Sequence, residues 1–256
     1  MPTSDSILGA FLWQAHAAWV VAKKNALIYY LKPPVFTFGI IFPLFFYLAF
    51  AAGHQAPPEA MAPGVMSMAL FFTASAVGPL VTPWERQAKT YERLVTSPAS
   101  LTAILTGDVL AGMGFGALLS LAPLLLALAA TPAHVAAPAA LVLGILLGAL
   151  AFASLGVLLA APAAESPSQV MMLSNLVRLP LIFVSGVFVP HAAMPAWGRW
   201  LSPFSPLSYC ADLVRIGFGG EAYWTPAVDA AALLGFAVAL LGLANWLHRR
   251  TRARAQ

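Results

Sequence analysis

Residues 178–215 read RLPLIFVSGVFVPHAAMPAWGRWLSPFSPLSYCADLVR. The uncharged run Leu179 to Val189 suits a membrane, but it meets Pro190 and Pro195, then Trp197, Trp200 and Phe204, and then Pro206 ahead of Tyr209. Proline ends or bends a helix, and the aromatic rings are of the kind that settle at headgroup depth. A span therefore ends at Pro190 without entering water. The reading predicts a re-entrant helical segment over 190–220, folded back into the interface.

Composition extends this to the whole chain. Of 256 residues, 61% are apolar and 9% charged, against roughly 45–50% and 25% in soluble domains. The mean hydropathy is +0.83. The expected class is an all-α integral membrane protein, whose length is counted in spans of about 20 residues. The single cysteine, Cys210, excludes an internal disulfide and a thiolate metal cluster. The net charge of +4 sits in clusters beside apolar runs, where it orients spans and meets anionic lipid, and no basic face is left for nucleic acid.

Uncharged length marks six spans, at about 35–52, 63–84, 101–130, 136–161, 170–189 and 227–247, preceded by an N-terminal segment 1–34 and followed by a basic tail 248–256. Lys23, Lys24 and Lys32 precede the first span, Arg86, Lys89 and Arg93 follow the second, and Arg249, Arg250, Arg252 and Arg254 follow the sixth. Excess positive charge marks the cytoplasmic side, so both termini are expected in the cytoplasm, as an even span count requires. No Lys or Arg precedes Lys23, and no cleavable leader is expected. Within 1–34, Ile7, Leu8, Phe11, Leu12, Ala15 and Trp19 recur at helical spacing against Gln14, His16, Lys23 and Lys24, which predicts an amphipathic helix lying in the interface.

The search for chemistry is mostly negative. There is no Gly-x-x-x-x-Gly-Lys-Ser/Thr loop for nucleotide phosphates, no Gly-x-Ser-x-Gly elbow and no His-Glu-x-x-His helix. The five histidines show no metal-ligand spacing and read as interfacial residues. No catalytic residue and no metal site is expected. Charges inside spans are costly and so are candidates for function. Asp108, Arg178 and Asp229 qualify, each open to a bland reading: the two acids could reach headgroups or water, and the arginine could snorkel or pair with an acid. Gly112-x-x-x-Gly116 and Gly144-x-x-x-Gly148 offer flat faces for close helix packing.

The loop after the second span holds five charges between Glu85 and Arg93, then Leu94, and then Ser97-Pro98-Ala99-Ser100. Glu92, Leu94, Ser97 and Pro98 resemble the acidic-x-Leu-x-x-Ser/Thr-Pro segment of ABC-2-type transporter permeases, a family of drug, lipo-oligosaccharide and polysaccharide exporters. Phe183 to Pro190, Met194 to Trp197, Ser205 to Tyr209 and Asp212 to Arg215 are similar, in order and spacing, to that family's signature after the fifth span. Asp108 departs from the pattern, since family members often have Gly-Lys where this chain has Gly107-Asp108.

The resemblance covers roughly residues 20–247. It implies a multi-pass permease of the bacterial cytoplasmic membrane that exports an amphiphilic or lipid-linked substrate, drug-like or glycan. It also implies a homodimer of permeases working with two P-loop ATPase subunits, which carry the ATP and Mg; this chain itself would hold no cofactor. The expected ATPase-coupling residues are Glu85, Arg86, Glu92, Arg93, Leu94, Ser97 and Pro98, with the N-terminal helix beside them. The expected extracellular gate comprises Pro190, Pro195, Trp197, Trp200, Pro206 and Tyr209. A secondary transporter or channel is the rival reading, but it calls for intramembrane ionisable groups or broken helices in two matching repeats, and neither is evident.

Overall fold

A computed structural model describes residues 7–28, 37–45, 48, 58–90, 97–162, 166–189 and 191–254. Glu92, Arg93, Leu94 and Pro190 lie outside the described residues. So do 35–36, 46–47 and 49–52 of the first expected span, of which a π-helical turn, Thr37–Ile41, and a short helical stretch are seen.

The helices are α1 (Ile7–Ile28), α2 (Pro58–Ser75), α3 (Val77–Gln87), α4 (Leu101–Ala130), α5 (Pro138–Leu159), α6 (Pro167–Phe183), the short α7 (Ala196–Leu201), α8 (Pro206–Gly217) and α9 (Pro226–Arg254). No strand occurs among the described residues. Four apolar helical stretches are long enough to cross a membrane: Met61–Gln87, Leu101–Ala130, Pro138–Leu159 and Pro226–Arg250. The 22 residues of the third of these, at about 1.5 Å each, already span roughly 33 Å.

The first of these stretches is α2 and α3 together, interrupted at Ala76. Pro79 has no N–H to give the carbonyl of Ser75, and its ring crowds that carbonyl. The Ser75 hydroxyl also turns back to the Phe71 carbonyl, at 2.5 Å, a bond that bends helices.

The sequence places the fifth span at 170–189, but the helix runs over 167–183, with Ser166 capping its start, and turns follow from Val184. Gly186, at φ +80°, makes that change of direction possible, and a side chain there would strike the His191 ring.

Helix α5 is the hub. Its small residues let neighbours approach from several sides. Gly144 and Gly148 face Leu213 and Cys210 of α8, and on α4 Gly112 and Gly116 face Ala74 of α2, so both glycine pairs pack helices. Phe71 meets Phe152 edge-on at 5.0 Å, and with Leu207, Leu213 and Leu233 they join α2, α5, α8 and α9 in one core. A second core gathers Ala22, Val77, Val81, Leu105, Val109, Val157 and Ala244 from α1, α3, α4, α5 and α9.

Candidate functional site

The two ends of Met61–Gln87 carry two polar assemblies. Gly64 lies against Val187 at one end, and Glu85 is gripped by α1 at the other.

At the Glu85 end, α1 lies across the start of α4. Gly107 permits this, because a Cβ there would sit 2.5 Å from the Ala18 carbonyl oxygen. Neighbouring residues of α1 then reach two different elements: Lys24 pairs with Glu85 at the end of α3, and the Asn25 amide donates to Asp108 of α4 at 2.5 Å. The Gln14 side-chain oxygen accepts the Ser100 N–H at 3.0 Å, while the Ser100 hydroxyl caps α4 by accepting from Ala103. Arg86 donates to the Pro162 carbonyl after α5, and Thr90 to the Glu85 carbonyl. The aromatic side of α1, with Phe11, Leu12 and Trp19, faces away from the protein.

Two expectations change here. Glu85 is not a solvated loop residue: it is helical and buried, because its carboxylate is turned to Lys24. Asp108, expected to reach headgroups or water, is instead buried, with its carboxylate accepting from Asn25. Ser97 and Pro98 precede the cap, with the Ser97 hydroxyl accepting from Ala99.

At the opposite end, residues 186–229 form a cap around Asp212, which is fully buried. Its carboxylate accepts from the backbone N–H groups of Tyr223 and Trp224 at 2.9 Å each, and pairs with Arg215 at 3.0 Å. Arg215 also donates to the Gly186 carbonyl at 3.1 Å, tying the turn after α6 to α8. Serines hold the intervening turns: Ser205 donates to the Leu181 carbonyl, Ser208 to the Ser202 carbonyl, and Ser202 to the Ser208 hydroxyl oxygen. His191 Nε2 lies 2.5 Å from the Ser202 hydroxyl oxygen, and since that hydroxyl's proton goes to Ser208, the ring must carry its own on Nε2.

His191 stacks on Tyr223 at 4.4 Å and meets Trp224 edge-on, so a histidine read from sequence as interfacial is buried, with Nδ1 unpartnered. Tyr209 is nearly buried, its hydroxyl donating to the Pro203 carbonyl, and Pro195 and Pro206 start α7 and α8. Trp197, Trp200 and Phe204 are 65%, 69% and 64% exposed, and the Trp200 and Phe204 rings lie 5.7 Å apart.

Burial and the nearby Arg215 charge hold the His191 pKa below the ordinary imidazole value of 6.5. Unfolded chains then take up a proton that the folded cap refuses, so stability present above pH 6.5 is lost as the pH falls below it. The thermal midpoint is expected to drop between pH 7.5 and 5.5, and His191→Gln, which keeps a donor toward Ser202, is expected to lessen the drop. An unchanged drop would place its origin elsewhere.

Of the remaining intramembrane charges, Asp229 is fully buried, with neither carboxylate oxygen hydrogen-bonded. Arg178 is buried and donates to the Ser75 carbonyl, so it does not snorkel. No group of three His, Cys, Asp or Glu residues among those described could hold a metal ion.

Apolar helices long enough to cross a membrane, joined at each end by a polar assembly, define a multi-pass membrane protein. The family model for ABC-2 type transporters matches residues 16–218, and the chain belongs to that family. It is 26% identical over 259 residues to the daunorubicin resistance ABC transporter permease protein of Streptomyces coeruleorubidus, covering 98% of this chain and 89% of that protein. The chain is thus an ABC-2 permease, a membrane component of a transporter.

Proposed function

We propose that this permease exports drug-like amphiphiles across a bacterial cytoplasmic membrane, driven by ATP hydrolysed, with Mg, on two copies of a separate P-loop ATPase. A second copy of the chain completes the path. The observation that carries this reading is the joining of α1, the end of α3 and the start of α4 through Lys24–Glu85, Asn25–Asp108 and Gln14–Ser100. Work done by an ATPase must enter the spans through a stiff handle, and these bonds join three elements into one beside the charged segment 85–100. That end also carries Lys23, Lys24, Arg86, Lys89, Arg249 and Arg250, in accord with a cytoplasmic face. The substrate class follows the drug-resistance relative.

Six spans with both termini inside suit the same arrangement. Helix α6 begins beyond Pro162, at the Arg86 end, and finishes at the cap, so it joins the two ends although it is short. The cap is then the extracellular re-entrant segment, with Trp197, Trp200 and Phe204 turned to headgroups. ATP biases an equilibrium between inward- and outward-open arrangements by binding one of them better.

The test is a charge swap. Lys24→Glu and Glu85→Lys are each expected to cut export about tenfold, as loss of a partly buried ion pair does, and the double swap is expected to recover most of it. A P-loop ATPase should copurify with the wild type. Ion-driven flux with no ATPase attached would replace this reading with a secondary transporter.

A further inference from the structure

The guanidinium of Arg178 belongs to neither polar assembly, yet it is 2% exposed within α6 and donates through Nη2 to the backbone carbonyl of Ser75. In an unbroken helix that carbonyl would accept from residue 79, which here is Pro79 and has no N–H. Backbone of α5 presses on the same oxygen: a Cβ on Gly156 would lie 2.4 Å from it, and one on Gly78 would lie 1.9 Å from the Gly156 carbonyl oxygen. Helices α3, α5 and α6 therefore converge on the break in Met61–Gln87. An arginine stays charged wherever it is placed, so burying one is costly unless its donors are used.

We propose that Arg178 is a positioning residue that replaces the missing N–H of Pro79 and so fixes the angle between α2 and α3. Near the end of α3, Glu85 is held by Lys24, and in the first half of α2 Gly64 lies beside Val187 beneath the cap. With the arginine in place, the two halves move as one bent rod, and displacement at the α1 end reaches the cap. Without it the halves move independently. The consequence for transport rests on the permease reading above, whereas the geometric role does not.

Two measurements separate these. In a Cys210→Ala background, spin labels at Met61→Cys and Gln87→Cys report the angle in the isolated permease in lipid nanodiscs, with no ATPase present. Arg178→Met is expected to broaden the distance distribution. Adding Pro79→Ala, which returns an N–H to position 79, is expected to narrow it again at a longer, straighter distance. An unchanged distribution in Arg178→Met, or no narrowing in the double variant, overturns the proposal. If Arg178→Met fails to accumulate, folded yield becomes the readout, and failure of Pro79→Ala to raise it overturns the proposal equally.

In the assembled transporter, substrate exported per ATP hydrolysed is expected to fall about tenfold in Arg178→Met and to recover to within about threefold in the double variant, since one lost charged hydrogen bond is being replaced by a helical one. A permease with the expected label distances but no ATPase partner would refute the transport reading and leave the geometric role standing.

Discussion

Gly78→Ala is expected to remove the folded protein from the membrane. The added methyl carbon would sit 1.9 Å from the carbonyl oxygen of Gly156 and 2.8 Å from the Val157 nitrogen, all backbone, so no side chain can swing aside. Overpacking a core usually costs about 1–3 kcal/mol because rotamers give way. Here α3 and α5 must separate instead, which strips Val77 and Val81 from Ala153 and Val157 and pulls Ser75 from Arg178. The expected result is loss of the monodisperse peak on size exclusion in mild detergent. Gly114→Ala, where nothing lies within 4 Å, is the control and should elute as wild type. A normal peak for Gly78→Ala would mean that the two helices cross less closely than described.

Asp212→Ala is expected to open the cap. The substitution leaves the Tyr223 and Trp224 N–H groups without their acceptor and Arg215 without its acid, and breaking one side of a buried pair costs about 3–5 kcal/mol. Cys210 reports the outcome, because it is fully buried in α8, two residues from Asp212, against Gly144 and Gly148. Burial also pushes its thiol pKa up, which suppresses the thiolate further. A small maleimide should leave the wild type unmodified at neutral pH and modify Asp212→Ala within minutes. Asp212→Asn, which retains an acceptor, should fall between them. Unreactive Cys210 in Asp212→Ala would show that the serine ladder and aromatic stack hold the cap unaided.

The spans expected at 101–130 and 136–161, seen as helices over 101–130 and 138–159, were legible because their uncharged runs are long and end at Pro132 and Pro162. Glu85 misleads because charge density marks a loop, whereas the helix runs on until its carboxylate meets Lys24, 61 residues earlier. The fifth span was drawn too long because Val184, Val187 and Val189 are as apolar as any helix interior, and the turn there depends on one glycine's backbone angle. Prolines and aromatics advertised the segment after Pro190. Its interior is held by Ser202, Ser205, Ser208 and Asp212, residue types too common in loops to stand out. The partner of Arg178 was hidden for another reason: it is a carbonyl, and only Pro79, 99 positions away, marks that carbonyl as short of a donor.

The seating of α1 on α4 also sets an order of assembly. Asn25 leaves the ribosome 83 residues before Asp108, its partner, and Lys24 61 residues before Glu85. At synthesis rates of about 5–20 residues per second, α1 waits roughly 4–17 s for α4 to arrive. During that interval its amide and ammonium groups are without these partners, and Phe11, Leu12 and Trp19 stay on its exposed side throughout. Helix α1 is thus made well before it is fastened, and its fastening closes only after two later segments have been delivered to the same end of the bundle.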